Sequence, residues 1–501
     1  MLKRSPGWGT VLVSILFVSV LLGMTPDAHA AVKTVNDADI SVAIETEYYS
    51  DNSVNAENID VTTENGIVSL DGTVENILAK ERAAEIASTI VGVRAVVNRL
   101  EVLPYISRID SELKAAIINA LAINPATESF EVTVSVSEGV VTLGGSVESW
   151  QERRLCAIVT KSVRGVKAVE NEITIEYKET RADKDIENEV EALLKNDVRV
   201  DDYLIDVSVT DAVVTLSGVV GSVTEKNNAY VDAWVTGVKD VNTEDLEVEY
   251  WARNKMRRTS VYTSQSDEEI RDAILNAFLR DPRVMSFDIA VRVSDGTVTL
   301  SGVVNYLGAK RAAEEDARNV IGVWRVKNNI KVRPLVIPES GELVARVESA
   351  LGEDPYVSKY DVKVSAVAGW VTLSGEVNTD FEKVQAEMVT ENVPGVTRVF
   401  NNINYEYNWT WKPDWEIKAD IEDQLWWSPF VDSDAVAVRV ERGVAILTGT
   451  VDTWAERYDA EQNAYEGGAK DVRNQLEVSD EIHGPYPERG TINGWGYYFG
   501  Y

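Results

Sequence analysis

Residues 296–304 read GTVTLSGVV, and recognisable copies occur five more times: GIVSLDGTV from Gly66, GVVTLGGSV from Gly139, AVVTLSGVV from Ala212, GWVTLSGEV from Gly369 and GVAILTGTV from Gly443. The starts at 66, 139, 212, 296, 369 and 443 are separated by 73, 73, 84, 73 and 74 residues. One unit of nearly constant length is therefore repeated six times, with a single insertion in the middle. A period of this kind decides the architecture before any other feature is read.

The first unit, 37–102, supplies the pattern. Ile40, Ile44 and Tyr48 fall at helical spacing and predict a helix from about Asp37 to Ser50. A first strand follows, and Asn65-Gly66 provides the turn chemistry of a tight hairpin. In the second strand Val68, Leu70, Gly72 and Val74 alternate with Ser69, Asp71 and Thr73, so the first set faces a core. Ala83, Ala84, Ile86, Ala87 and Ile90 mark a second helix, Gly92 stops it, and Val93, Val96 and Leu100 to Val102 form a last strand.

The predicted class is α+β: six tandem α-β-β-α-β repeats, each a small three-stranded sheet covered on one face by two helices. The other units span 108–177, 185–250, 267–333, 339–407 and 414–478. Their closing glycines are Gly165, Gly237, Gly322, Gly395 and Gly468. An Asn stands six residues after the glycine at Asn98, Asn171, Asn328, Asn401 and Asn474, whereas the third unit has Thr243 there. That unit also carries Ala212 in place of the turn glycine, a cost of ~1 kcal/mol if the turn needs positive φ. Connections are short enough for a packed array. The insertion, a basic linker at 251–266, divides the chain into two triplets, and an aromatic, Gly-containing tail occupies 479–501.

The chain has 82 acidic and 49 basic residues, a net charge of -33. Nonspecific nucleic-acid binding depends on neutralising phosphates with Lys and Arg, so no nucleic acid is expected as a partner. Residues 1–30 read as a signal peptide: Lys3 and Arg4, an apolar run from Val11 to Gly23, and Ala28-His29-Ala30 as the cleavage site. Cleavage and export would leave one histidine, His483, and one cysteine, Cys156. Those counts exclude a disulfide within the chain and His/Cys metal clusters. Catalytic arrangements built on histidine would have to use His483 in the tail. Neither a dinucleotide nor a phosphate-loop motif is present, so the expectation is a non-enzymatic protein with no cofactor and no small-molecule substrate.

The candidate residues fall into four groups. Gly72, Gly145, Gly218, Gly302, Gly375 and Gly449 sit in the middle of the repeated element, and the residues eleven further on are Ala83, Cys156, Ala229, Ala313, Ala386 and Ala460. Small residues at both places imply close packing of helix over strand, a structural role, with ligand approach as the alternative. Cys156 fills a slot that is Ala elsewhere and reads as a buried, inert thiol; Arg153 and Arg154 nearby keep a reactive thiol open.

The third group is a basic island: residues 251–333 carry 15 Lys/Arg against 10 Asp/Glu, or +5, in an otherwise acidic chain. Arg253, Lys255, Arg257 and Arg258 lie in the linker; Lys310, Arg311, Arg318, Arg325, Lys327, Lys331 and Arg333 follow in the fourth unit. Such an island suits anionic headgroups or the neighbouring acidic units. The fourth group is Trp409, Trp411, Trp415, Trp426 and Trp427 with Phe430, around the first helix of the sixth unit. Tryptophan suits a membrane interface, a sugar surface or a contact between units.

The GxVxLxG strand, the Ala-rich helix and the closing GVxxVxN resemble the BON domain, named for bacterial osmotically induced periplasmic and nodulation proteins. The resemblance covers nearly all of the chain after residue 36. It implies the α-β-β-α-β fold, a periplasmic or membrane-associated envelope location, and binding of phospholipid membrane surfaces, here by way of Arg253, Lys255, Arg257, Arg258, Lys310, Arg311, Arg325, Trp409, Trp411, Trp426 and Trp427. A scaffold or holdase-like factor that contacts other envelope proteins without lipid is the alternative.

Overall fold

The computed structural model describes residues 35–105, 108–127, 130–178, 180–252, 265–405 and 411–478. The signal sequence, the four linker cations, Trp409, His483 and the aromatic tail lie outside the described residues. In the first unit the helix runs Asp37–Ser50; the Asn36 side chain caps it by accepting the Asp39 N–H, and Ile40, Ala43, Ile44 and Tyr48 are buried. Strands Ile59–Glu64 and Ile67–Val74 pair antiparallel, with Val61 opposite Leu70. The second helix is Ile77–Ser88, and the closing strand, Ala95–Asn98 continuing at Glu101–Val102, runs parallel to the second. The repeated element is thus the central strand of each sheet.

Local chemistry explains why the unit recurs so faithfully. Both residues of every hairpin turn have positive φ: Asn65 and Gly66 at 53° and 74°, and in the third unit Asp211 and Ala212 at 53° and 64°. Ala212 therefore sits in the strained conformation expected of it. The Asp37 carboxylate accepts the N–H groups of Asn65 and Gly66 at 2.8 and 2.9 Å, tying the first helix to the turn. Asp110, Asp183, Asp267 and Asp414 do the same in their units.

The recurrent asparagine clamps the closing strand: Asn98 Nδ2 donates to the Lys80 carbonyl at 2.7 Å while its Oδ1 accepts the Leu100 N–H at 3.2 Å. Where Thr243 replaces it, Lys226 Nζ donates to the Leu246 carbonyl at 2.6 Å instead.

At the central glycines the close neighbour is backbone, not the second helix. Gly72 has φ 119°, and a Cβ there would lie 2.1 Å from the Asn58 carbonyl oxygen. The close neighbour is the backbone leading into the facing first strand, and the same holds at Gly145, Gly218, Gly302, Gly375 and Gly449. The small helix residues, Ala83 and Cys156 among them, are fully buried without being the glycines' near contacts.

The six units form one compact body. Within the first triplet, Trp150 stacks on Trp234 with centroids 5.5 Å apart, Tyr177 donates to the Val238 carbonyl, Lys161 pairs with Glu81 and Arg94 with Glu249. In the second, Arg311 pairs with Glu391, and Trp324 lies 5.4 Å from Trp454.

Among the described residues, one backbone bond recurs at three seams between the triplets. The residue before a closing glycine donates to the last residue of a first helix: Val91 to Trp427 at 3.3 Å, Arg164 to Glu353 at 2.7 Å and Ile321 to Asn196 at 3.0 Å. Unit one therefore meets unit six, two meets five, and three meets four. Helix surfaces from all six units line an open cavity of about 2810 Å³, with Arg82, Arg154, Asp232, Asp316, Glu391 and Glu466 in its wall.

Candidate functional site

In the fourth unit, strand alternation sorts side chains by chemistry. Strands Ile289–Ser294 and Thr297–Val304 send Ile289, Val291, Val298, Leu300 and Val304 into the core, joined by Ile330. The opposite face carries Arg292, Arg325, Lys327, Lys331 and Arg333, all exposed. Register brings them together: Thr299 pairs with Arg292 on one side and with Lys327 on the other, and Thr297 pairs with Arg325. Two strand spacings put Arg292 and Lys327 on the order of 10 Å apart across the sheet. None of the five cations makes an ion pair with a described carboxylate, and neither these two strands nor the closing strands Arg325–Asn328 and Lys331–Val332 contain Asp or Glu.

The other units present different outer faces. The first shows Asp60, Glu64 and Glu101, the second Glu131, Glu170 and Glu172, and the third Asp206, Asp240 and Glu247. The cationic face of the fourth unit is therefore local, not a property of the fold. Its residue Arg292 was missed from the sequence because it stands apart from the later basic run. Its place in the polar half of the alternation Ile289 to Ser294 is the signal that identifies it.

The remaining sequence candidates separate. Arg325 belongs to the cationic face; Lys310 lies half-buried on the second helix, with its carbonyl accepting from Asn328. Arg311 is turned inward, paired with Glu391 across the contact between units four and five, so it is withdrawn from the outer surface. Trp411 and Trp415 are 73% and 72% exposed at the start of the sixth unit. Trp426 and Trp427 are half-buried and edge-to-face at 4.4 Å, and the Trp427 carbonyl takes part in the seam with unit one. The aromatic cluster is thus divided between an exposed entrance and an interface.

A second exposed group was not singled out from the sequence. On the outer face of the fifth unit Trp370 and Phe400 lie 5.9 Å apart with the Arg398 guanidinium 5.4 Å from each ring, and Trp370 is 52% exposed. Inside the molecule, Cys156 is fully buried and burial pushes its thiol up to about 12, followed by the effect of Glu152. A thiolate nucleophile needs the opposite shift. Glu47 is pushed up to about 8 by burial and by Glu466 across the seam between units one and six. The cavity is several times larger than a site shaped to enclose one small ligand, which runs to about 1,000 Å³. Among the described residues there is no His and no cluster of three or more His, Cys, Asp and Glu that could hold a metal ion. No described helix is long and apolar enough to cross a membrane.

Residues 36–104, 109–177, 182–250, 266–334, 340–407 and 413–480 each match the BON domain. The chain belongs to the BON domain family. Osmotically-inducible protein Y of Escherichia coli (strain K12) is 29% identical to it over 143 residues, covering 27% of this chain and 71% of that protein. Two solved structures of CdsD, a structural protein of the type III secretion system of Chlamydia trachomatis, align at 14% identity and TM-score 0.12. They cover 42% and 43% of this chain and 91% and 100% of theirs; at that TM-score the alignment carries no argument. The six BON matches follow the six α-β-β-α-β units described above, including the third with its Ala212 turn.

Proposed function

We propose that this protein is a non-enzymatic, exported envelope protein connected with osmotic stress, which lays the cationic sheet face of its fourth BON unit on anionic phospholipid headgroups. Membership of the BON family and similarity to an osmotically-inducible protein support the general setting. The observation that carries the lipid reading is the face formed by Arg292, Arg325, Lys327, Lys331 and Arg333, free of acidic side chains in a chain of net charge -33. Binding survives that overall charge because charges further away than a Debye length, about 10 Å at 0.1 M salt, are largely screened. The acidic outer faces of units one to three then orient the molecule by avoiding the surface.

Cosedimentation with phosphatidylglycerol vesicles at low salt tests this. Binding that falls steeply with added salt and is missing on phosphatidylcholine vesicles is expected. Equal binding to both, or none to the anionic vesicles, refutes it.

The Trp370, Phe400 and Arg398 cluster favours a second reading, a scaffold for other envelope proteins. Exposed aromatics with Arg are the composition of protein-binding hot spots. A photo-crosslinker placed at Trp370 separates the two readings, since a protein adduct in the native envelope supports the scaffold and a lipid adduct supports the membrane.

A further inference from the structure

The closing strand is an edge of every sheet, so one side of its backbone has no ladder to join. Along a parallel pair, alternate residues turn their N–H and carbonyl toward the neighbouring strand. In unit one the Arg99 N–H donates to the Leu70 carbonyl, so Val97 and Arg99 bond inward while Val96 and Asn98 face away. Unit five has the same register, with Leu373 opposite Asn401 as Leu70 is opposite Asn98. Val399 and Asn401 therefore offer their backbone groups to the free edge.

Three units cover such groups with a cation from the second helix. Arg153 donates to the Asn171 carbonyl at 2.7 Å, Lys226 to the Leu246 carbonyl at 2.6 Å, and Arg457 to the Asn474 and Leu476 carbonyls at 2.6 and 3.0 Å. The matching residue of unit five is Lys383, whose carbonyl binds Asn401 as that of Arg153 binds Asn171. Its Nζ lies 5.6 Å from the Tyr405 ring instead. Among the described residues, no backbone bond from outside the sheet reaches Val399 or Asn401. Units one and four lack such a cap too, but their edge strands expose Arg99 and Glu101, and Arg325, Lys327 and Lys331. Charges of this kind keep an edge from pairing. The exposed set in unit five is Arg398, Phe400, Asn402 and Asn404, with a single charge at one end.

We propose that unit five binds an extended protein segment by strand addition along Arg398–Tyr405, the segment placing a carboxylate beside Arg398 and an apolar side chain beside Phe400. This rests on the scaffold reading of the Trp370 cluster and names the chemistry of the partner. Register sets Trp370 between Val367 and Arg398, Thr372 between Ser365 and Phe400, and Ser374 between Lys363 and Asn402. The cations Lys363 and Arg398 make no ion pair with a described carboxylate, so the face lacks the charge that a partner would bring. An added strand lies about 4.8 Å beyond the edge, with alternate side chains on this face. The carboxylate and the apolar group are therefore two positions apart, where cross-strand neighbours interact. A second copy of the same edge has no carboxylate in its exposed set to answer Arg398.

The probe is the peptide Thr-Val-Glu-Val-Phe-Val-Glu-Val-Thr, whose palindromic order presents Phe to Phe400 and Glu to Arg398 in either strand direction. It is titrated into the full chain, and hydrogen exchange is read residue by residue. At free peptide about ten times the measured Kd, exchange at the Val399 and Asn401 amides should slow about tenfold. The amide of Asn474, on the edge capped by Arg457, should be unaffected. Lysine in place of both glutamates should weaken binding about tenfold through like charge at Arg398. Val399→Pro removes an N–H offered to the partner at an edge where proline is tolerated, and should abolish binding. Phe400→Lys gives the same test should that variant fold poorly.

No binding below about 1 mM overturns the proposal. So does binding without protection of Val399 and Asn401, or binding retained in the folded variants. Protection of those amides that rises with protein concentration in the absence of peptide overturns it in favour of a second copy. A protein adduct at a Trp370 photo-crosslinker that survives Val399→Pro overturns strand addition and leaves the scaffold reading standing.

Discussion

Replacing Arg292, Arg325, Lys327 and Lys331 together by serine removes four of the five cations from the outer face of unit four. Each basic side chain held near an anionic surface contributes ~1 kcal/mol. The four together contribute ~4 kcal/mol, which at 1.4 kcal/mol per tenfold is about a thousandfold in the partition constant. The fold should tolerate the change, because the four side chains are exposed, make no ion pair with a described carboxylate, and lie opposite the core residues Val291, Val298 and Leu300. Surface substitutions of this kind stay within about 0.5 kcal/mol each.

The assay is a titration of protein with phosphatidylglycerol vesicles in about 50 mM salt, with circular dichroism to confirm that the variant is folded. Arg311→Ser is the informative control: Arg311 is paired with Glu391 inside the molecule, so its loss should weaken the contact between units four and five and leave vesicle affinity nearly unchanged. A folded quadruple variant that binds as well as the unaltered chain refutes the assignment. The linker cations Arg253, Lys255, Arg257 and Arg258 would then be the place to look.

Three further outcomes follow from local geometry. Ala212→Gly relieves an alanine held at φ 64° and should stabilise the third unit by up to ~1 kcal/mol, read as a rise in its urea midpoint; no rise would mean that the turn carries little strain. Gly72→Ala, with its Cβ directed 2.1 Å from the Asn58 carbonyl oxygen, should destabilise the first unit by ~2 kcal/mol or more, and unchanged thermal stability would contradict the close approach. Cys156→Ala should cost less than ~1.5 kcal/mol because the slot is Ala in the other five units, and native Cys156 should resist thiol reagents until the chain unfolds; fast labelling of the folded protein would restore the reactive-thiol reading.

The repeat was legible because both of its periods are local. Val68, Leu70 and Val74 announce a strand by alternation, and Ile40, Ile44 and Tyr48 announce a helix by spacing, so the fold of each unit follows from residues close in sequence. The turn at Ala212 was legible for the same reason, since one φ angle decides it. What joins the units was not legible. Val91 meets Trp427 and Arg164 meets Glu353 through backbone atoms, which leave no mark on side-chain pattern. Trp427 could accordingly be placed at a surface or at a contact between units, and Arg311 in a basic patch, and only their partners from other units decide between these. Arg292 shows the intermediate case: its charge was in plain view, but it gains meaning only when the sheet register sets it across Thr299 from Lys327.

The arrangement also explains where the six copies were free to differ. Helix surfaces face the seams and the cavity, where Asn196, Arg280, Glu353 and Trp427 each answer to a particular residue of another unit. A change there disturbs two units at once. The outer sheet faces carry no such obligation, because the hairpin turn, the asparagine clamp and the core of each unit are complete without them. Copies constrained inside and unconstrained outside will diverge on the outside. The result is an acidic face on units one to three, a cationic face on unit four and an aromatic one on unit five. Binding functions in such a protein therefore belong to individual outer faces. The repeated GxVxLxG strand, common to all six, supplies the support on which each face is displayed.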